Sequence, residues 1–311
     1  MYISEQEVRQ HLSYEALIPA IRQALVDYSS GLVDQPPRVI LRAGNAEGAH
    51  NGWFAVMPVI AGDWMGVKTV TFYPGNAERG LPTHTAVIEL LSRATGEPVA
   101  VIDGRLITEM RTAAVSAVAF AAISPLHFAA PPTSLGILGS GVQAHAHIDA
   151  LRHVWPALEE IRIWSRTREN AQRLALATGA NAVAIEEAAA ADVVLTATSA
   201  SQPILQGRWL SPHALVLAVG ATGSTLRELD DEVMHSSFVV AESRSCVERE
   251  SGDVRLSGAS VAAEIGEILA RPETAVLPLN GRIVFKSVGM AIEDLTAARL
   301  VWESGETGRP D

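Results

Sequence analysis

Two groups of residues in this 311-residue chain have types and spacings suited to chemistry. The first is Gly139-Ser140-Gly141-Val142-Gln143-Ala144, which follows the apolar run Leu135–Leu138 and opens a helical stretch. It fits the Gly-x-Gly-x-x-Gly/Ala pattern of dinucleotide-binding turns. Gly139 allows the tight bend, Gly141 lets the backbone approach a pyrophosphate, and Ala144 keeps the helix close to the strand. Free N–H groups at the start of that helix, with the positive end of its dipole, suit phosphate oxygens. The second group is cationic. Arg38 follows Pro36-Pro37, Lys68 lies within Gly66-Val67-Lys68-Thr69-Val70, and Arg111 begins a highly apolar helix. Basic groups so close to core sequence need a partner or a task. In an acidic protein they read either as a pocket for a carboxylate or as structural ion pairs and snorkelling side chains.

The next strand indicates which nucleotide the turn would hold. A carboxylate at its end favours the ribose hydroxyls of NAD and repels a 2′-phosphate. Here the residues are Trp164-Ser165-Arg166-Thr167-Arg168, with no acid before Glu169. Ser165 and Thr167 can hydrogen-bond a phosphate and Arg166 can make a charge-assisted contact, so NADP(H) is expected over NAD(H). A solvated basic patch is the alternative. Thr196-Ala197-Thr198-Ser199 follows another strand, at the carboxyl edge where ligands of such sheets sit. It reads either as cofactor lining or as a helix N-cap.

These groups need two scaffolds. From Ser134 onward, short apolar strands alternate with helical stretches: Leu135–Leu138, Ile161–Trp164, Asp192–Thr196, Ala214–Val219 and Phe238–Ala241, with helices to about His153 and over Arg168–Thr178. That rhythm predicts a doubly wound parallel sheet. Earlier, strand-like runs stand at Arg38–Leu41, Trp53–Ile60, Gly66–Phe72, His84–Leu91 and Val99–Ile102. Turn clusters at Asn45–Asn51, Pro74–Gly80 and Ala94–Pro98 separate them, which predicts an α+β unit with a mainly antiparallel sheet. A helix is expected from Ser4, as N-cap with Glu7 three residues on, to about Tyr28. Ile283–Phe285 and a closing helix, Ala291–Trp302, are expected to return to the first unit. The fold class is therefore α/β: a Rossmann domain over 124–289, and an α+β substrate and dimerisation domain formed by 1–123 with 290–311.

Composition is that of a soluble enzyme with ample core, 48% hydrophobic and 19% charged. A formal net charge of −11 argues against nucleic acid or an anionic membrane as partner. The single cysteine, Cys246, excludes an intramolecular disulfide and reads as a packing residue rather than a nucleophile. Met1-Tyr2-Ile3-Ser4-Glu5 carries no secretory signal, and Thr112–Ile123 reads as a buried helix too short to span a bilayer, so a cytoplasmic protein is expected. His145 and His147, two apart on a helix, make a poor metal pair. His84 reads as structural or supporting. Glu228, Asp230 and Asp231 read as a solvated acidic helix start, and Asp253 as a cap or loop-holding residue.

In order along nearly its whole length the chain resembles the ornithine cyclodeaminase/mu-crystallin family. The matching segments are Pro36-Pro37-Arg38, Lys68-Thr69-Val70, Gly80-Leu81-Pro82-Thr83-His84, Thr108–Ala114 and Gly139–Ala144. Arg227-Glu228-Leu229-Asp230, Glu250-Ser251-Gly252-Asp253-Val254 and Phe285-Lys286-Ser287-Val288-Gly289 complete them. The resemblance implies a homodimer acting on a small amino-acid or imino-acid carboxylate. It also implies that Arg38, Lys68 and Arg111 bind the carboxylate, that Thr83 faces the substrate, that Lys68 is catalytic, near the reacting C–N bond as a proton donor or electrostatic stabiliser, and that Ser287 and Val288 lie near the nicotinamide. One departure matters. Ornithine cyclodeaminases are similar to one another in an aspartate after the glycine pair of the fifth strand, where Val219-Gly220-Ala221-Thr222 has Thr222. Threonine is no general base near neutral pH and does not pair with an ammonium. Reduction of an imino acid such as Δ1-pyrroline-2-carboxylate, or its reverse, is therefore expected. Ornithine cyclodeamination and non-enzymatic NADPH binding are the alternatives.

Overall fold

The structure is a computed structural model that describes residues 1–44, 52–279 and 281–306. The turn cluster expected at Asn45–Asn51 lies outside the described residues. The chain runs β1 (Tyr2–Ile3), α1 (Glu5–His11), α2 (Tyr14–Ser29), β2 (Val33–Asp34), β3 (Val39–Arg42), β4 (Trp53–Ala61), β5 (Trp64–Phe72), β6 (His84–Ser92), β7 (Pro98–Asp103) and α3 (Arg105–His127). It continues through β8 (Ser134–Leu138), α4 (Val142–Val154), β9 (Glu160–Trp164), α5 (Arg168–Thr178), β10 (Asn181–Ala182), α6 (Ile185–Ala189), β11 (Val193–Thr196) and β12 (Leu215–Ala218). Last come α7 (Asp231–His235), β13 (Ser237–Ala241), α8 (Arg244–Glu250), α9 (Gly252–Ser257), β14 (Ala263–Glu264), α10 (Ile265–Ala270), β15 (Arg282–Lys286) and α11 (Ala291–Glu306). Two compact units result, Met1–Arg111 with Met290–Asp311, and Thr112–Gly289. The chain passes between them within α3 and after Gly289, the first crossing lying ahead of the 123/124 division read from the sequence.

The first unit holds a seven-stranded sheet, ordered β1-β7-β6-β5-β4-β2 with β3 also on β4. All its pairings are antiparallel except β1 with β7. Alternation along β5 is strict. Gly66, Lys68 and Val70 are buried, and Val67, Thr69 and Thr71 are half-buried on the opposite face. The buried face meets α11, because a side chain at Gly66 would strike Leu295. The opposite face carries Val56, Val67 and Val87, with Val39 and Leu41 of β3 beside them and more than half exposed. The N-terminal helix is two helices rather than one. Ser4 and Glu7 form the expected capping box, but Ser13 starts a second helix by accepting from the Ala16 N–H. That new N-cap ends the first helix at His11.

The second unit is an eight-stranded, wholly parallel sheet in the order β10-β9-β8-β11-β12-β15-β13-β14. The order turns back between β8 and β11, the switch point at which such sheets bind ligands beyond their strand carboxyl ends. Strands of this kind are buried on both faces, and β11 and β12 are buried at every residue. Ile283–Phe285 lies in the second unit, within the 124–289 division, and does not return to the first unit with the closing helix as its place in the chain suggests. It is the core of β15, between β12 and β13, and its uninterrupted apolar run suits a central parallel strand. The apolar stretch at Thr112–Ile123 also belongs to a longer helix than expected. α3 has 23 residues and is long and apolar enough to cross a membrane, but Ala113, Ala114, Val115, Ala117 and Ile123 are fully buried inside the protein.

β8 and α6 approach so closely at Gly136 that a methyl group there would run into the Ala188 carbonyl. Gly136→Ala is expected to destabilise the protein by about 3 kcal/mol, the upper range for overpacking a core. Urea unfolding checks this, and an unchanged midpoint would mean that β8 and α6 can separate freely.

Candidate active site

In the first unit the site is built from the middle of β5. Lys68 pairs across the sheet with Met57 and Ile88, and its side chain enters the buried face. Its Nζ lies 2.6 Å from Asp294 Oδ2, both side chains being 2% exposed. The other oxygen, Asp294 Oδ1, accepts from Arg111 Nε at 3.0 Å. Arg111 Nη1 donates to Glu293 Oε2 at 2.8 Å, and Glu293 also accepts from the Met290 N–H at the start of α11. One carboxylate thus joins two of the three predicted cations, and a second braces Arg111. Arg38 lies near enough that its charge, with that of Arg111, pushes the Lys68 ammonium toward deprotonation.

Burial is the largest influence on Lys68, and it is only partly offset by Asp294, so the pKa falls to about 8. For Asp294 burial acts upward, but Arg111 and Lys68 prevail and hold the carboxyl below its usual range. His84 is pushed down to about 4, first by burial and then by Lys68 and Arg111, and is neutral at physiological pH. Thr83 sits in the connection between β5 and β6, beyond the Phe72–His84 pair and away from the Lys68–Ile88 pair, with its carbonyl accepting the Tyr73 N–H. The ion-pair reading therefore holds for Lys68 and Arg111.

The second unit brings most of the predicted nucleotide residues into one row along the carboxyl edge of its sheet. Gly139 has φ 132°, a left-handed-side conformation, and a side chain there would strike the Ala197 carbonyl. The Gly139 N–H donates to the Trp164 carbonyl, and Ser140 Oγ to Ser165 Oγ at 2.8 Å. Gly141 is the N-cap of α4, makes no side-chain cap bond, and has open space where a side chain would be. That cradle, with the exposed Val142 and half-buried Gln143 behind it, fits the phosphates of a dinucleotide. Arg166 and Thr167 are exposed, and among the described residues Arg166 is in no ion pair.

Next along the row, the Ala197 N–H donates to the Leu138 carbonyl, and the Val219 and Gly220 N–H groups to the Thr196 carbonyl. The N-cap alternative for Thr196–Thr198 does not hold. Thr196 Oγ1 donates to Glu228 at 2.9 Å, and Thr198 gives Glu228 both its N–H and its hydroxyl at 2.7 Å. Glu228 is not the solvated residue expected either. It is fully buried, and burial holds its carboxyl above the usual range against the opposing influence of Lys286 and Thr198. Asp230 does start a helix, as the N-cap of α7.

Asp253 is a loop-holding residue: its Oδ1 accepts the N–H groups of Glu228 and Leu229, and its Oδ2 lies 3.0 Å from Lys286 Nζ. Lys286 also donates to the Gly220 carbonyl at 2.9 Å. These bonds frame the loop of Ala221 and Thr222, where Ala221 has φ 50° and Thr222 is exposed. The row ends at Ser287, whose N–H donates to the Ala218 carbonyl, and at Val288, whose N–H, with that of Gly289, is taken by the buried Glu242. Ser287 and Val288 are themselves buried. Of the two helix histidines, His147 is buried between Ser116 and the Gln143 carbonyl and burial pushes it down to about 4, whereas His145 pairs with Asp149.

Sequence reasoning missed Glu293, Asp294 and Lys286. A signal for the acids existed. Ala291-Ile292-Glu293-Asp294-Leu295 is buried throughout, and paired acids in so apolar a turn require partners. A second signal is composition. The chain has only two lysines, Lys68 and Lys286, both buried against an aspartate, and every other strongly basic side chain is arginine.

Known proteins supply the remaining comparison. The ketimine reductase mu-crystallin of Rattus norvegicus is 41% identical over 320 residues, covering 99% of this chain and 98% of the relative. The solved structure of Thermococcus litoralis Δ1-pyrroline-2-carboxylate reductase, in complex with NADH and L-proline, superposes with TM-score 0.89 at 29% identity, over 99% of this chain and 98% of that one. An archaeal alanine dehydrogenase dimer with bound NAD gives TM-score 0.89 at 26% identity, over 99% and 96%. The model of the ornithine cyclodeaminase/mu-crystallin family matches residues 1–309, and with that full-length match the chain belongs to this family.

Proposed function

We propose that this protein is an oxidoreductase acting on C–N bonds that reduces a small cyclic imino acid of the Δ1-pyrroline-2-carboxylate kind with NADPH. The observation that carries the reading is the buried Lys68, held by Asp294 and depressed to about 8. An ion pair so deep adds little net stability over apolar packing, so its presence is better explained by work than by folding. A pKa near 8 suits a proton donor at neutral pH. When bound, the reduced cofactor supplies a hydride to the imine carbon. Lys68 delivers the proton that the ring nitrogen must gain, and Arg111 and Arg38 orient the carboxylate, while neutral His84 adds no competing acid. The two relatives named for ketimine and pyrroline-2-carboxylate reduction support this substrate class. Thr222, exposed where a cyclodeaminase would need an acid, supports a reductase over an ornithine cyclodeaminase.

Purified protein with Δ1-pyrroline-2-carboxylate is expected to oxidise NADPH and to form no proline from L-ornithine. Lys68→Ala should lower turnover by about 10²–10⁴-fold while still binding NADPH, the range for a lost general acid. Proline and ammonia from ornithine would replace the reductase by a cyclodeaminase, and full activity in Lys68→Ala would remove the lysine from the chemistry.

The reading of NADP(H) over NAD(H) rests on Arg166, which is in no ion pair among the described residues, and on Ser165 and Thr167 at the end of β9. Arg166→Glu should raise the KM for NADPH roughly ten- to hundredfold, the loss of one or two charge-assisted bonds, and leave NADH little changed. Equal effects on both would make Arg166 a general surface cation. A homodimer is supported by Val56, Val67 and Val87 on the sheet face of the first unit that α11 does not cover, and the archaeal relative is a dimer. Val87→Asp should halve the mass seen by light scattering, and a Val87→Asp protein of unchanged mass would place the contact elsewhere.

A further inference from the structure

Lys68 and Arg111 come from different elements, a strand and a helix, and nothing in either element sets the distance between their charges. Asp294 does. Its two oxygens face in two directions, Oδ2 to the ammonium at 2.6 Å and Oδ1 to the guanidinium Nε at 3.0 Å. Glu293, its neighbour in α11, then fixes the guanidinium by a second bond through Nη1. Two carboxylates one residue apart at the start of a buried helix are costly to desolvate. They are tolerable only because two cations meet them there.

We propose that Asp294 is the positioning residue of the imine-reduction site, the carboxylate that holds the Lys68 ammonium charged in a buried place and at a set separation from Arg111. This rests on the reductase reading above, in which Lys68 supplies the proton. The charges that bear on Lys68 are Asp294 from α11, Arg111 from α3 and Arg38 ahead of β3; Glu293 of α11 pairs with Arg111, and His84 of β6 is itself pushed down by the Lys68 charge. Removing the Asp294 charge takes away the strongest influence that keeps the ammonium protonated and leaves burial, Arg111 and Arg38 acting in the opposite direction. Lys68 must then lose its proton at lower pH. Because reduction uses the protonated amine, the alkaline limb of the rate profile must move to lower pH with it.

The two-lysine composition makes the test direct. Protein labelled with ¹³C at lysine Cε gives one resonance from Lys68 and one from Lys286, and the Lys286 signal reports separately that the second unit is intact. In the wild type the Lys68 resonance should titrate near pH 8. In Asp294→Asn it should titrate on the order of one to three units lower, the effect of an opposite charge at contact distance. The alkaline limb of kcat should shift by the same interval, giving a loss of about fivefold or more at pH 8 with a smaller change in KM. A Lys68 resonance that titrates unchanged in Asp294→Asn overturns the proposal. A shifted resonance with no imine reduction by the wild type keeps the positioning role and removes the reductase reading. If Asp294→Asn does not fold, Asp294→Glu serves: it keeps the charge but displaces it, and should lower kcat more than it raises KM. Wild-type kcat in Asp294→Glu overturns the proposal as well.

Discussion

An ammonium taken out of water persists only beside negative charge, and the first unit is arranged around that requirement at Lys68. The lysine stands on the central strand β5, where alternation drives its side chain into the same face as Gly66 and Val70. The compensating carboxylate has to come from the layer that covers this face, and α11 provides it from its first turn. Glycine at position 66 follows from the same geometry, since a side chain there would force Leu295, and with it α11, away from the strand. Arg111, Glu293 and the depressed His84 then follow as the electrostatic surroundings of one contact.

The second unit solves a related problem differently. Its buried charges, Glu228, Asp253 and Lys286, form a chain that ties together the ends of β11, β12 and β15. Turns at the carboxyl edge of a parallel sheet have few ladder bonds of their own, and unsatisfied backbone groups there are expensive. Glu228 takes the Thr198 N–H, Asp253 takes two more, and Lys286 donates to the Gly220 carbonyl. Thr222 is thereby presented to solvent from a loop whose neighbour, Ala221, sits in a left-handed conformation that costs roughly 1–2 kcal/mol. That strain is held in place by the buried chain beneath it.

Much of the scaffold was legible because its signals are local. The alternation over β4, β5 and β6, the short apolar runs of β8, β11 and β12, and the Gly139–Ala144 turn each carry their pattern within a few residues. The Lys68 and Arg111 positions were legible as charges out of place. Their partners were not. Arg111 and Asp294 are 183 residues apart, and Glu293-Asp294 at a helix start satisfies the dipole rule without any tertiary contact. Glu228 is hidden for the same reason: beside Asp230 and Asp231 it looks like part of a solvated run, although Thr196 of β11 and Asp253 of α9 bond to it. Ser13 was hidden because the apolar period continues across it while its hydroxyl starts a new helix. The nearness of β15 to α11 in sequence points to the first unit, whereas its apolar run points to the central parallel strand that it forms.

The confinement of lysine to Lys68 and Lys286 gives the molecule an unusual chemical exterior. Its exposed strong bases are guanidinium groups, which keep their charge throughout the range in which amines lose theirs. Reagents and enzymes that acylate or conjugate lysine meet no side-chain amine on the folded surface. Each unit contains one lysine, and the two differ in what exposes them: Lys68 is reached by whatever enters the substrate site, whereas Lys286, tied to Asp253 and the Gly220 carbonyl, is reached only when the second unit opens. The protein thus carries, in its native sequence, one amine that reports on its substrate site and one that times the local unfolding of its second half.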